Sequence, residues 1–212
     1  LVDAGIAVFG CPNNGPFSKE PITPFLDRLR NVISWWDYCH AKHAPGILIT
    51  SWSSARTSPE LNMLVDAAAA SLWLNSGERD PQKLLEHGIY RMWGTRKPMA
   101  VKLVGSVEKY QYTGYYRWQT YDNWGALANG DSVAPFRREE KYFRKLVHQA
   151  EDVETSIAFR NSLLIRHYIA QKDLFLTEGS GQIFRARRFM SRMCPTLALG
   201  CLDQIQEAGH SL

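Results

Sequence analysis

Gly46-Ile47-Leu48-Ile49-Thr50-Ser51-Trp52-Ser53 leads through a short polar loop into Leu61-Asn62-Met63-Leu64-Val65-Asp66-Ala67-Ala68-Ala69-Ala70-Ser71-Leu72-Trp73. The first part is an apolar, β-branched run behind the breaker Pro45-Gly46. It predicts a strand buried on both faces, as in a parallel sheet. The second part opens with three helix-start signals. Ser58 is a capping residue, Pro59 suits the first helical position, and Glu60 complements the positive end of the helix dipole. Leu61, Leu64, Val65, Ala68 and Leu72 then recur at helical spacing, and alanines 67–70 predict a close approach to a sheet.

The same order stands upstream. Ile6 to Phe9 predicts a short buried strand, and Gly10 to Pro24 has the Pro, Gly and Asn density of a loop. Leu26, Leu29, Val32, Ile33, Trp36 and Cys39 recur at helical spacing. Residues 1–76 therefore predict strand, helix, strand, helix, which is two β/α units of a parallel α/β fold. Two units are too few to close a common α/β sheet, and they make sense as the last two of a (β/α)8 barrel. The chain opens at Leu1 without a methionine, and its first predicted strand begins almost at once, so a piece of something longer is expected, with one side of its sheet open.

Downstream the pattern turns helical. Pro81 to Trp93 and Pro98 to Tyr110 predict short helices, and 110–130 is rich in aromatic residues. Phe136 to about Lys172 predicts one long amphipathic helix, with Phe143, Leu146, Val147, Ala150, Val153, Ile157, Leu164 and Tyr168 on its apolar stripe. Gln182 to Met193 predicts a last helix. Residues 77–193 are thus expected to form a mainly α-helical domain, and 194–212 a weakly structured tail.

The stretch 46–53 with 61–73 resembles the end of the catalytic barrel of glycoside hydrolase family 20, the β-N-acetylhexosaminidases. In that family the eighth strand ends in a Trp, and the following helix carries an alanine-rich segment closed by a Trp. Ala7-Val8-Phe9-Gly10-Cys11-Pro12 sits where the seventh strand would be, and the resemblance covers residues 1–75. It implies a divergent branch with a helical C-terminal domain, acting on an N-acetylhexosamine-type or related sugar. In the family the substrate's own acetamido oxygen attacks while a Glu acts as acid, a departure from the usual carboxylate pair. The family's Asp-Glu pair lies on strand four, which this chain does not contain. The family's sugar-contacting Glu after the strand-eight Trp is replaced here by Ser54.

Composition bounds the alternatives. With 45% apolar and 22% charged residues the chain is expected to fold over most of its length. No apolar stretch approaches a membrane span, so no membrane partner is expected. Of the net charge of +4, the excess sits in 136–192, which holds twelve basic and seven acidic residues. The signs interleave, with Glu139, Glu140, Glu151, Asp152 and Glu154 among the bases, which predicts a solvated helix face over a nucleic-acid surface. Cys11, Cys39, Cys194 and Cys201 show neither a redox pair nor zinc spacing. His40 and His43 lack a third ligand at suitable spacing, so no metal and no cofactor are expected.

The substrate-binding candidates follow from strand ends, where parallel α/β folds hold ligands. Trp52 ends its strand and offers an apolar wall to a sugar ring, or a packing ring between strand and helix. Asn13 and Asn14 follow the other strand end as hydrogen-bond partners for hydroxyls, or as an Asn-Gly turn with Gly15. Ser54 and Arg56 occupy the loop after Trp52, to touch a ligand or to hold the loop. No catalytic acid is expected within the chain, since Glu20 and Asp27 fall too late after the first strand. The sequence thus predicts a glycoside hydrolase fragment that supplies pocket walls, inactive by itself. Its rivals are a non-catalytic carbohydrate-binding protein on a barrel and, more distantly, a helical nucleic-acid-binding protein.

Overall fold

The two strands are far shorter than the apolar runs that announce them. The structure, a computed structural model, describes residues 4–16, 21–51, 58–74, 77–110 and 133–178. In it β1 is Phe9–Gly10 and β2 is Gly46–Ile47. They pair in parallel, Phe9 opposite Gly46 and Gly10 opposite Ile47, and α1 (Phe25–Ala41) crosses over between them. Single hydrogen bonds prolong the pairing. The Leu48 N–H donates to the Gly10 carbonyl at 2.7 Å, the Thr50 N–H to the Pro12 carbonyl at 2.8 Å, and the Asn14 N–H to the Thr50 carbonyl at 2.9 Å. Gly10 is required where it stands, because a Cβ there would lie 2.7 Å from both Cys39 Sγ and the Trp35 ring.

The remaining elements are helical: α2 (Pro59–Ala69), α3 (Ser71–Leu74), α4 (Pro81–Trp93), α5 (Pro98–Ser106) with a 3-10 turn at Val107–Tyr110, α6 (Val133–Glu151) and α7 (Ile157–Glu178). This overturns the α/β class. The described fold is mainly helical with one two-stranded sheet, and it is not the last two units of a (β/α)8 barrel. The cause is where apolar area finds cover. Ile6, Phe9 and Leu48, read as strand core, are 51%, 53% and 61% exposed, because two short strands cannot cover each other's faces. The core lies among the helices instead, running from Phe25 and Leu29 of α1 through Leu64, Leu85 and Val104 to Phe143 and Phe159.

The alanine run of α2 makes its close approach to a helix and not to a sheet. A Cβ on Gly88 of α4 would lie 2.7 Å from the Ala68 Cβ. Both ends of this contact are pinned. Arg91 of α4 donates to the Ala67 carbonyl at 2.6 Å and to Ser71 Oγ at 2.9 Å, where the last carbonyls of α2 need donors. The Trp93 indole N–H donates to Glu60 at 3.0 Å. α4 has the ends its sequence asks for. Asp80 accepts from the Gln82 N–H at 2.9 Å, Pro81 opens the helix, and Gly94 closes it at φ 71°.

The single long helix read over Phe136 to Lys172 divides in two. α6 and α7 fold back on each other as an antiparallel hairpin around residues 152–156. Ser156 starts the second helix, its Oγ accepting the Phe159 N–H at 3.1 Å. One straight helix of roughly 50 Å would have left its apolar stripe in water, whereas the hairpin turns Phe143, Leu146 and Leu163 inward. The aromatic stretch beyond Tyr110, the helix expected at 182–193 and the tail 194–212 lie outside the described residues. No helix among the described residues is long and apolar enough to cross a membrane.

Candidate functional site

At the carboxyl ends of β1 and β2 the structure gathers six polar side chains. Asn13 and Asn14 come from the turn after β1 and Ser51 from the segment after β2. Asn62 and Asp66 stand four apart on one face of α2, and Thr23 precedes α1. The Asn14 side-chain amide donates to both carboxylate oxygens of Asp66, at 2.9 and 3.0 Å. The Asn62 amide donates to Ser51 Oγ at 2.8 Å, and the Asn62 carbonyl accepts from Thr23 Oγ1 at 3.0 Å. Asn13 Oδ1 accepts the Gly15 N–H at 2.9 Å, an Asx turn that fixes the loop.

These contacts divide the cluster into two layers. Asn14, Asn62 and Thr23 are buried and bond inward, while Asn13 is half-buried and Ser51 is exposed. Solvent therefore meets Asn13 and Ser51, with the others holding them from behind. Burial pushes the Asp66 carboxyl above its ordinary value, and the Asn14 hydrogen bond pulls part of the way back. Asn14 Oδ1 is buried and finds no hydrogen-bond partner among the described residues. As built, the cluster presents an amide and a hydroxyl at the parallel strand ends, chemistry suited to hydroxyl groups of a ligand.

Of the residues named from sequence, Asn13 and Asn14 are thus brought together with Ser51. Asn14 is a buried tie to α2 and not an open ligand group. Trp52, Ser54 and Arg56 lie outside the described residues. Sequence reasoning missed Asn62 and Asp66. Their signal was the i, i+4 spacing of two polar residues on a helix whose neighbours Leu61 and Val65 are core. His40 and His43 are both exposed at the end of α1, and no group of three His, Cys, Asp or Glu that could hold a metal occurs among the described residues.

A second polar cluster lies inside the α6–α7 hairpin. The fully buried Arg166 guanidinium donates to Glu139 and, at 3.0 Å, to the Tyr110 carbonyl, and it stacks 4.4 Å over the Phe143 ring. His167 Nε2 lies 3.2 Å from Glu140. Desolvation lowers the His167 pKa, opposed by Glu140 and reinforced by Arg144 and His148. Burial raises the Asp173 carboxyl against the pull of Lys172. The Arg166–Glu139 and His167–Glu140 pairs cross from α7 to α6 and tie the two helices together.

No family model, no curated protein and no solved structure matches this chain.

Proposed function

We propose that this chain supplies part of the sugar-binding wall of a glycoside hydrolase acting on an N-acetylhexosamine-type or related sugar, and that the catalytic acids come from outside it. The observation that carries this reading is the pair Asn13 and Ser51 at the ends of two parallel strands, backed by Asn62 and Asp66 and followed in sequence by Trp52. Ligands of parallel sheets bind in the crevice outside the carboxyl ends of the strands. An amide and a hydroxyl there give directional bonds to sugar hydroxyls, and an indole gives an apolar surface for a ring face. The resemblance of 46–53 and 61–73 to family 20 adds to this. The reading rests on the strand ends and their motif, and on no barrel. Ser54, in place of the family's sugar-contacting Glu, favours a second reading in which the chain binds carbohydrate without any catalysis.

The test is calorimetric titration with N,N′-diacetylchitobiose. Binding that weakens about tenfold in Asn13→Ala and in Trp52→Ala, a loss of about 1.4 kcal/mol, supports the wall. Absence of binding at millimolar sugar removes it. Turnover of an aryl N-acetylglucosaminide by this chain alone would overturn the assignment of the acids to another part.

A further inference from the structure

Asn14 is followed by Gly15, the residue that shields its backbone nitrogen least. In an open chain such a pair is labile. The Gly nitrogen, once it has lost its proton, attacks the Asn side-chain carbonyl carbon and expels ammonia, and water opens the resulting succinimide to aspartate or isoaspartate. The fold holds each participant back. The Asn14 N–H donates to the Thr50 carbonyl at 2.9 Å, which keeps the residue paired with the segment after β2. Its side-chain nitrogen, the leaving group, is bonded to Asp66 at 2.9 and 3.0 Å. The Gly15 N–H, whose nitrogen is the nucleophile, donates to Asn13 Oδ1 at 2.9 Å. Asn14 Oδ1 would carry the charge of the tetrahedral intermediate, and it is buried with no donor facing it among the described residues. The backbone itself does not ask for glycine here. The φ of Gly15 lies outside the left-handed region, and a Cβ on it would lie 3.4 Å from Asn62 Nδ2 and 3.6 Å from Asn13 Oδ1.

We propose that Asn14 is a deamidation site gated by the fold, and that its conversion releases the turn after β1 from α2 permanently. Reaction proceeds from a locally opened state in which the bonds to Asp66 and Asn13 are broken. The step takes up one water and releases one ammonia, and it needs no oxidant, metal or cofactor. A carboxylate then stands where the amide stood, opposite the Asp66 carboxylate. Two like charges in one half-buried place repel, so the tie cannot form again. Isoaspartate also lengthens the main chain by one carbon between positions 14 and 15, which shifts the turn relative to Asn14 and its Thr50 partner. A reversible opening thereby becomes a one-way change. This property belongs to the tie behind Asn13 and requires no sugar, so it stands independently of the proposed wall.

The experiment is mass spectrometry of tryptic peptides after incubation in mildly alkaline buffer, with the chain folded and in urea. Trypsin places Asn14 in residues 1–19 and the second Asn-Gly pair, Asn129-Gly130, in residues 118–137, so the two are followed separately. Conversion at Asn14, read as the mass gain of an acid over an amide, is expected to be at least about tenfold slower in the folded chain than in urea. Asn13→Ala frees the nucleophile and Asp66→Ala frees the leaving group. Each should raise the folded-state rate several-fold and leave the rate in urea unchanged, with circular dichroism showing that the variant is folded. Gly15→Ala, whose added methyl meets only ordinary contacts, should slow conversion in urea. Asn14→Asp stands for the product, and its urea midpoint should fall while hydrogen exchange at Gly15 quickens. Equal rates in the folded chain and in urea overturn the gate, and that comparison needs no variant. Folded-state rates unchanged in both Asn13→Ala and Asp66→Ala also overturn it. An Asn14→Asp chain as stable as the parent overturns the permanent release.

Discussion

Asn14 and Asp66 stand 52 positions apart in the chain, yet the two N–H groups of one amide and the two oxygens of one carboxylate meet face to face at 2.9 and 3.0 Å. The bond fastens the turn after β1 to the middle of α2. Asn14→Ala leaves a half-buried carboxylate without that donor and should cost about 1–3 kcal/mol, read from urea unfolding. It also removes the bond that lowers the Asp66 pKa, so carboxyl titration by NMR should place Asp66 higher still. A carboxyl raised on folding holds its proton longer in the native state. Its contribution is therefore favourable below the ordinary Asp value and is lost as pH rises through the native one.

His167 titrates in the opposite sense. Its native pKa lies below the ordinary imidazole value because burial disfavours the cation. Its contribution is present above about pH 6.5 and is lost as pH falls through the native value, since the unfolded chain takes up the proton first. Unfolding at about pH 7.5 and about pH 5.5 should show lower stability at the acid value, and His167→Gln should flatten the difference. An unchanged slope in that variant would remove His167 from the account.

The buried ion pair of the hairpin is asymmetric in what its loss does. Glu139→Ala takes the carboxylate away from a guanidinium with no exposure to water and should cost about 3–5 kcal/mol. Glu139→Gln keeps a hydrogen-bond acceptor and should cost less. Thermal melts of the two variants, with loss of helical circular dichroism as the readout, check the order.

Gly88→Ala adds one methyl where α4 meets Ala68. With 2.7 Å to that Cβ and 3.0 Å to the Ala68 backbone, the helices must move apart, at about 1–3 kcal/mol. Ala68→Gly in the same chain should return part of the loss, which a double-mutant cycle measures.

Leu48 is an exposed leucine next to β2, a strand with a single pairing partner among the described residues. Leu48→Lys should leave the melting temperature nearly unchanged and reduce self-association in light scattering, because a charged residue blunts an edge.

Much of the helical fold is legible from local signals. Pro59 and Glu60 mark the start of α2, although Ser58 at its cap makes no side-chain bond to the helix, and Asp80-Pro81 with Gly94 frames α4 by contacts confined to a few neighbouring residues. What local reading misses depends on partners far along the chain. Ile6–Phe9 and Ile47–Ile49 fit the pattern of buried strands, but burial needs a covering face, which no short window contains. Glu139 stands in register with Phe143, Leu146 and Ala150, a position that counts as core, and only Arg166, 27 residues later, explains a charge there. Of the site, Asn13 and Asn14 were visible at a strand end, while Asp66 was hidden in a helix read for its apolar stripe. Trp73 reads as packing and is 53% exposed, though its ring meets Trp36 edge-on at 4.6 Å.

The N-terminus of α1 carries a consequence for the order in which the chain assembles. Pro24 offers it no side-chain cap. Instead Glu108, in the turn after α5, accepts the Asp27 N–H at 3.0 Å and pairs with Arg30 at 3.2 Å. The first turn of α1 thus waits for a carboxylate 81 residues downstream. Closing so long a loop is slow, and it comes after nearby helices have met. The crossover helix is then completed late, and its first-turn amides should exchange their hydrogens on the timescale of opening at the α5 turn. Glu108→Gln should speed that exchange there before it does so elsewhere.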